Sequence, residues 1–170
     1  MDVFSQTTHA VAAEFSDLSA PQAAALVIRL VTAGALGALL GWEREKQRKA
    51  AGLRTHILVA VGAAGFVAIP QQAGFTADGV GRVMQGLVAG IGFLGAGCIL
   101  KSEADGQITG LTTAAGIWLT AAVGVAAGMG REASALVLGT FGWLTLAVLG
   151  RWEGRADRRG ESGGTPGTRQ

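Results

Sequence analysis

Five apolar stretches of about 17 to 20 residues, the length needed to cross about 30 Å of hydrocarbon, run through this chain with short charged blocks between them. Few folds tolerate that pattern. A helix that is apolar all round for so long belongs in a bilayer rather than in a small soluble core. Only 15% of the residues are charged, against 49% hydrophobic, where a soluble domain carries about a quarter charged. The expected fold is therefore an all-α polytopic membrane protein of five transmembrane helices. The spans are read at about residues 23–42, 55–73, 83–100, 111–129 and 133–150. An acidic arm (1–22) precedes them and a basic, Gly-rich tail (151–170) follows, its distal part expected to be disordered.

Local signals refine these limits. Ser19-Ala20-Pro21 is a helix start, because Ser can cap and Pro fits the first turn. A short amphipathic helix is read around Val11 to Phe15. Pro70 falls near the end of the second span, where it stops or kinks a helix. The arm lacks the basic segment of a secretory signal, so none is expected. The single cysteine, Cys98, cannot form an internal disulfide.

Orientation follows from Lys and Arg. Arg44, Lys46, Arg48, Lys49, Arg54 and Lys101 lie in the first and third connections, and five further arginines lie in the tail. The opposite face holds only Arg82 and Arg131. The arm is thus expected on the periplasmic side, and the tail on the cytoplasmic side, of a bacterial inner membrane. The basic first loop suits anionic lipid at the cytoplasmic face.

Sliding the chain by 58 residues pairs Gly37 with Gly95, Glu45 with Glu103, Gly52 with Gly110, Leu53 with Leu111 and Thr55 with Thr113. Spans one-two and three-four then read either as two parallel hairpin repeats followed by a fifth helix, or as hairpins of similar low complexity. Helices in lipid associate through small residues that let backbones approach. Gly37/Gly41, Gly86/Gly90 and Gly124/Gly128 each present such a pair, and Gly95 joins a glycine-rich third span that is expected to lie centrally. One such face would also serve a homo-oligomer.

Ionisable groups at membrane depth are the best pointers to function. Arg29 either snorkels outward or faces the bundle, to meet an acid or carbonyls. Glu43 and Arg54 flank the first hairpin and would pair across its mouth, with Thr55 capping the second span. His56 is either a proton or metal group or a hydrogen-bonding residue at a helix start. Glu43, Glu45, Glu103 and Asp105 form a weak candidate set for a hydrated divalent cation. Gln85, Thr112, Thr113 and Thr120 are expected to bond across helices. No nucleophile with a base, phosphate-cradling loop or Cys/His cluster occurs, so neither enzymatic activity nor a cofactor is expected, and no nucleic-acid partner. Gly90 to Gly95 matches a dinucleotide-binding pattern only formally, since it lies inside an apolar run.

RLVTAGALGALLGWERE (29–45), AGLRTH (51–56), GIGFLGAGCIL (90–100) and GLTTAAGIWLTAAVGVAAG (110–128) resemble the MgtC/SapB family of bacterial membrane proteins. The likeness covers about residues 26–149, with the motifs in the expected order. It implies a link to growth at low magnesium and, in some pathogens, to virulence inside macrophages. It further implies a modulator acting through another membrane protein or an ion transporter. By resemblance the motif positions are Arg29, Glu43, Arg44, Gly52, Leu53, Arg54, Thr55, Gly95 and Thr113. Close members of the family carry a cytoplasmic C-terminal domain where this chain has a 20-residue tail, Thr112 stands where some have Asn, and Cys98 falls where an apolar residue is common.

Overall fold

A computed structural model describes residues 3–14, 16–101 and 107–149. Among the described residues there are six α-helices: α1 (Val3–Glu14), α2 (Ala20–Lys46), α3 (Leu53–Gln72), α4 (Ala77–Ala96), α5 (Leu111–Gly128) and α6 (Glu132–Leu144). A π-helical turn, Thr145–Leu149, continues α6. Helices α2, α3, α4 and α5 are long and apolar enough to cross a membrane, and α6 with its π turn is a shorter apolar helix. Leu100–Lys101 pairs antiparallel with Ile108–Thr109 in the connection to α5. The tail, with Glu103 and Asp105 of the second hairpin, lies outside the described residues.

The termini of these helices have identifiable causes. Ser19 and Gln22 form a reciprocal capping box at the start of α2, with Pro21 in the first turn, so the Ser19 and Gln22 N–H groups are both satisfied. Thr76 Oγ1 accepts from the N–H of Gly79, and Asp78 sits in the first turn of α4, where the helix dipole favours a carboxylate. These signals start α4 at Ala77, inside the link expected between the second and third spans. Helix α2 likewise runs past Trp42, so Glu43, Arg44 and Glu45 are helical rather than part of a loop. The N-terminal helix is also longer than expected, beginning at Val3. Helix α3 stops two residues after Pro70.

The core is the contact of α2, α3 and α5. A methyl built on Gly37 would lie 2.7 Å from the His56 carbonyl oxygen and 2.9 Å from Ala60 Cβ, and one on Gly41 would lie 2.7 Å from Leu53 Cα. On the other side of α3, Gly124 and Gly128 press against the backbone of Ala60 and Ala64. Ala60, Ala64, Val67, Ile117, Val123 and Ala127 are fully buried between them. Helix α6 joins through Gly139, which meets Leu36, and Gly142, which meets Leu40 and Leu119.

The glycine-rich third span is not central. Among the described residues helix α4 packs chiefly against α3 and α5, and Phe93 on its outer face is 85% exposed. Gly86 and Gly90 face open space, and Gly95 makes only an ordinary 3.6 Å contact with Ala114. Glycine content alone is ambiguous: it marks close packing only when a neighbouring backbone occupies the space the missing side chain leaves. On α5 it does at Gly124 and Gly128, whose space a neighbouring backbone fills.

Substitution at the two kinds of glycine should act in opposite directions. Gly37→Ala and Gly124→Ala push a methyl into backbone and should each cost about 1–3 kcal/mol. Gly86→Ala gains helix propensity of about 0.5–1 kcal/mol with nothing in its way. Thermal unfolding of the three variants in one detergent checks the difference in sign.

Candidate functional site

Two arginines on α2 hold α5 at its two ends. Arg29 is half-buried and donates through Nη1 to the Gly128 carbonyl oxygen at 3.0 Å and to Gln71 Oε1 at 3.2 Å. It therefore neither snorkels away nor meets an acid. It serves the carbonyl end of α5, where the helix dipole favours a cation, and ties in the end of α3. Gln72 Nε2 adds a bond to the Gln22 carbonyl oxygen at 3.0 Å. Gly130 takes a left-handed φ of 71°, and a side chain there would run into the Arg29 guanidinium.

Fifteen residues further along α2, about 22 Å at 1.5 Å per residue, Arg44 makes the matching contact. It is 3% exposed and donates through Nη2 to Thr113 Oγ1 at 3.4 Å and through Nη1 to Gln47 Oε1 at 3.2 Å. Thr113 and Gly128 are also fifteen residues apart, so the antiparallel pair α2–α5 is clamped in register over four turns. Gln47 Nε2 donates in turn to Glu43 Oε1 at 3.1 Å and to the Leu146 carbonyl oxygen at 3.3 Å. This second bond brings the π turn into the cluster. Glu43 is 7% exposed.

Glu43 and Arg54, expected to pair, are not brought together. Glu43 is buried against Gln47, while Arg54 is exposed and has no bond partner among the described residues. Thr55 does not cap α3 either. The N-cap is Gly52, and the exposed Glu45 caps instead, its Oε2 accepting from the Leu53 N–H at 2.8 Å. A carboxylate from the preceding helix end does the work of a capping side chain. A Cβ on Gly52 would meet that carboxylate and displace it from the cap. Gly110 caps α5 with a φ of 89°, and a Cβ on it would strike the Cys98 carbonyl oxygen. Of the candidate cation ligands, Glu43 and Glu45 are thus engaged separately, and Glu103 and Asp105 lie outside the described residues. No cluster of three metal-ligating side chains occurs among the described residues.

His56 is fully buried where α2, α3 and α5 meet, with its Nδ1 2.9 Å from the Gly52 carbonyl oxygen. Sequence reasoning missed Gln47 and Gln71, the two amides on which the arginines depend. The available signal was their position: each is a Gln at a span end, within reach of an arginine on the same or a neighbouring helix. Three grooves along α4 are lined almost wholly by apolar side chains, with Ile91 in all three and Leu87 and Trp118 each in two.

The profile of the MgtC family matches residues 30–155, the segment that carries both arginine clusters but Arg29. The chain belongs to the MgtC family. It is 44% identical to protein SrpB of Synechococcus elongatus over 137 residues, covering 74% of this chain and 75% of SrpB. It is 43% identical to protein MgtC of Salmonella typhimurium over 110 residues, covering 65% of this chain and 46% of MgtC. It is 42% identical to YhiD of Escherichia coli, which is described as a candidate magnesium transporter, covering 74% of this chain and 60% of YhiD. The chain thus spans about half the length of MgtC. No solved structure matches. Family membership and the apolar helices make this a multi-pass membrane protein.

Removing the Glu45 carboxylate should loosen the first hairpin. Glu45→Ala is expected to cost about 1 kcal/mol, the usual value of a helix cap, and Glu45→Gln less, because its amide oxygen still accepts. A cycle of Arg44→Gln and Thr113→Val should show coupling of about 1 kcal/mol, measured by thermal unfolding. Additive losses would mean that the bond contributes nothing.

Proposed function

We propose that this chain is a non-enzymatic membrane protein linked to magnesium limitation and ion homeostasis, which modulates a partner membrane protein rather than carrying ions itself. The magnesium link rests on the names of two relatives, MgtC and YhiD. The modulator reading rests on how the buried charges are used. Arg29, Glu43 and Arg44 are spent on bonds that hold helices together, and the grooves along α4 are apolar. An ion path needs polar groups turned toward a wet lumen. Helix α4, attached along one edge with Gly86 and Gly90 open, offers small-residue surface for another membrane helix, from a partner or a second copy.

The finer topology belongs to the same proposal. Helix α6 and its π turn run parallel to α2: Gly139 meets Leu36, Gly142 meets Leu40 and the Leu146 carbonyl meets Gln47. That register supports a fifth span crossing the same depth as α2. The hairpin duplication draws support from offsets of 58 residues. Helices α3 and α5 begin at Leu53 and Leu111 after Gly52 and Gly110, and Gly37 meets His56 where Gly95 meets Ala114. The distribution of basic residues supports a bacterial inner-membrane topology with the first hairpin and the tail on the cytoplasmic side and the N-terminal arm on the other. The exposed Lys46, Arg48, Lys49 and Arg54 there would rest on anionic lipid.

Purified protein in liposomes tests the function. No Mg²⁺ or H⁺ flux above empty vesicles, together with a membrane protein that co-purifies from native membranes, is the expected result. Reproducible flux that Glu43→Gln abolishes would establish transport instead.

A further inference from the structure

Buried polar atoms in a bilayer are nearly always partnered, yet His56 Nε2 has no hydrogen-bond partner among the described residues. The ring is 0% exposed. Its Nδ1 lies 2.9 Å from the Gly52 carbonyl oxygen, which can only accept, so in the neutral ring Nδ1 carries the hydrogen and Nε2 presents a bare lone pair. That lone pair faces α5 at Gly116. A Cβ built on Gly116 would have, apart from its own helix backbone, a single described neighbour within 4 Å: Nε2 itself, at 3.6 Å. The glycine therefore leaves a small space whose nearest wall is the unsatisfied acceptor.

The face of α5 around that space is polar. Thr113, Gly116 and Thr120 recur at helical spacing and are all buried, so they share one stripe. Thr120 Oγ1 donates to the Gly116 carbonyl oxygen at 2.8 Å and keeps its lone pairs. Thr113 Oγ1 accepts from Arg44 and keeps its own O–H. The charged group that acts on the ring is Arg44 from α2. Helix α5 contributes none, and Arg54 on α3 itself is exposed. A ligand here must be small, uncharged and a hydrogen-bond donor.

We infer that the space between His56 and Gly116 is a binding site for one water molecule, which donates to Nε2. Apolar cavities stay dry, whereas polar ones large enough for a water hold it through about three bonds. Gly116 is then kept free of a side chain for the sake of this water, unlike Gly37 and Gly124, which are kept free for a neighbouring backbone.

Thermal unfolding of the full chain in detergent tests the site through the sign of one substitution. Alanine in place of a helical glycine normally stabilises, and here the methyl would meet Nε2 at an ordinary contact distance. If it displaces a bound water, Gly116→Ala should instead lower Tm by about 2–4 °C. Gly116→Ser, whose hydroxyl can donate to Nε2, should recover most of that loss. In a His56→Leu background Gly116→Ala should no longer lower Tm. A rise in Tm for Gly116→Ala in the parent protein would overturn the site. Equal losses for Ala and Ser would also overturn it, because they signify crowding alone.

Discussion

Backbone-to-backbone approach through glycine is the interaction on which this bundle depends. Inside a membrane there is little hydrophobic force between helices, so association falls to dispersion contacts and to hydrogen bonds across the interface. Dispersion falls steeply with separation. Helix α3 lies against α2 through Gly37 and Gly41 and against α5 through Gly124 and Gly128, close enough that no side chain fits at any of the four crossings. The fully buried residues between these helices are mostly alanine and valine, small enough to preserve the closeness.

Close packing alone would leave the helices free to slide. The two arginines of α2 remove that freedom. Each is tied to one end of α5, at spacings that match along both helices. Their positions follow from chemistry as well as geometry. Arg29 meets the carbonyl end of α5, where the dipole attracts a cation, while Arg44 meets the opposite end through a hydroxyl rather than through the N–H groups that would repel it. Gln47 extends the second clamp to the π turn after α6, a place where the irregular ladder leaves a carbonyl available.

Much of this was legible in the chain. The long apolar stretches, the Ser19–Pro21 start and the Gly37/Gly41 and Gly124/Gly128 faces follow from composition and spacing that the bilayer itself enforces. Arg29, Glu43, Arg44 and Thr113 stand out because charged or polar residues at depth demand partners, though spacing does not reveal which ones. The pairing of Glu43 with Arg54 failed on helix phase. Helix α2 continues past Trp42, which carries Glu43 into the bundle while Arg54 turns outward. The central third span failed because a glycine stripe reads the same whether a backbone or open bilayer fills the space. His56 lies deeper than its place near a helix start suggests, since α3 crosses α2 at that very turn.

The contact order of the helices tests this account most directly, and cysteine cross-linking in native membranes reads it. In a Cys98→Ser background, Gly34→Cys with Val61→Cys joins positions where a methyl on Gly34 would lie 3.4 Å from Val61, whereas Gly34→Cys with Gly90→Cys joins α2 to α4, which are not packing neighbours. Mild oxidation should close the first pair within one chain and leave the second reduced. A closed second pair with an open first would place α4 inside the bundle and contradict the architecture described.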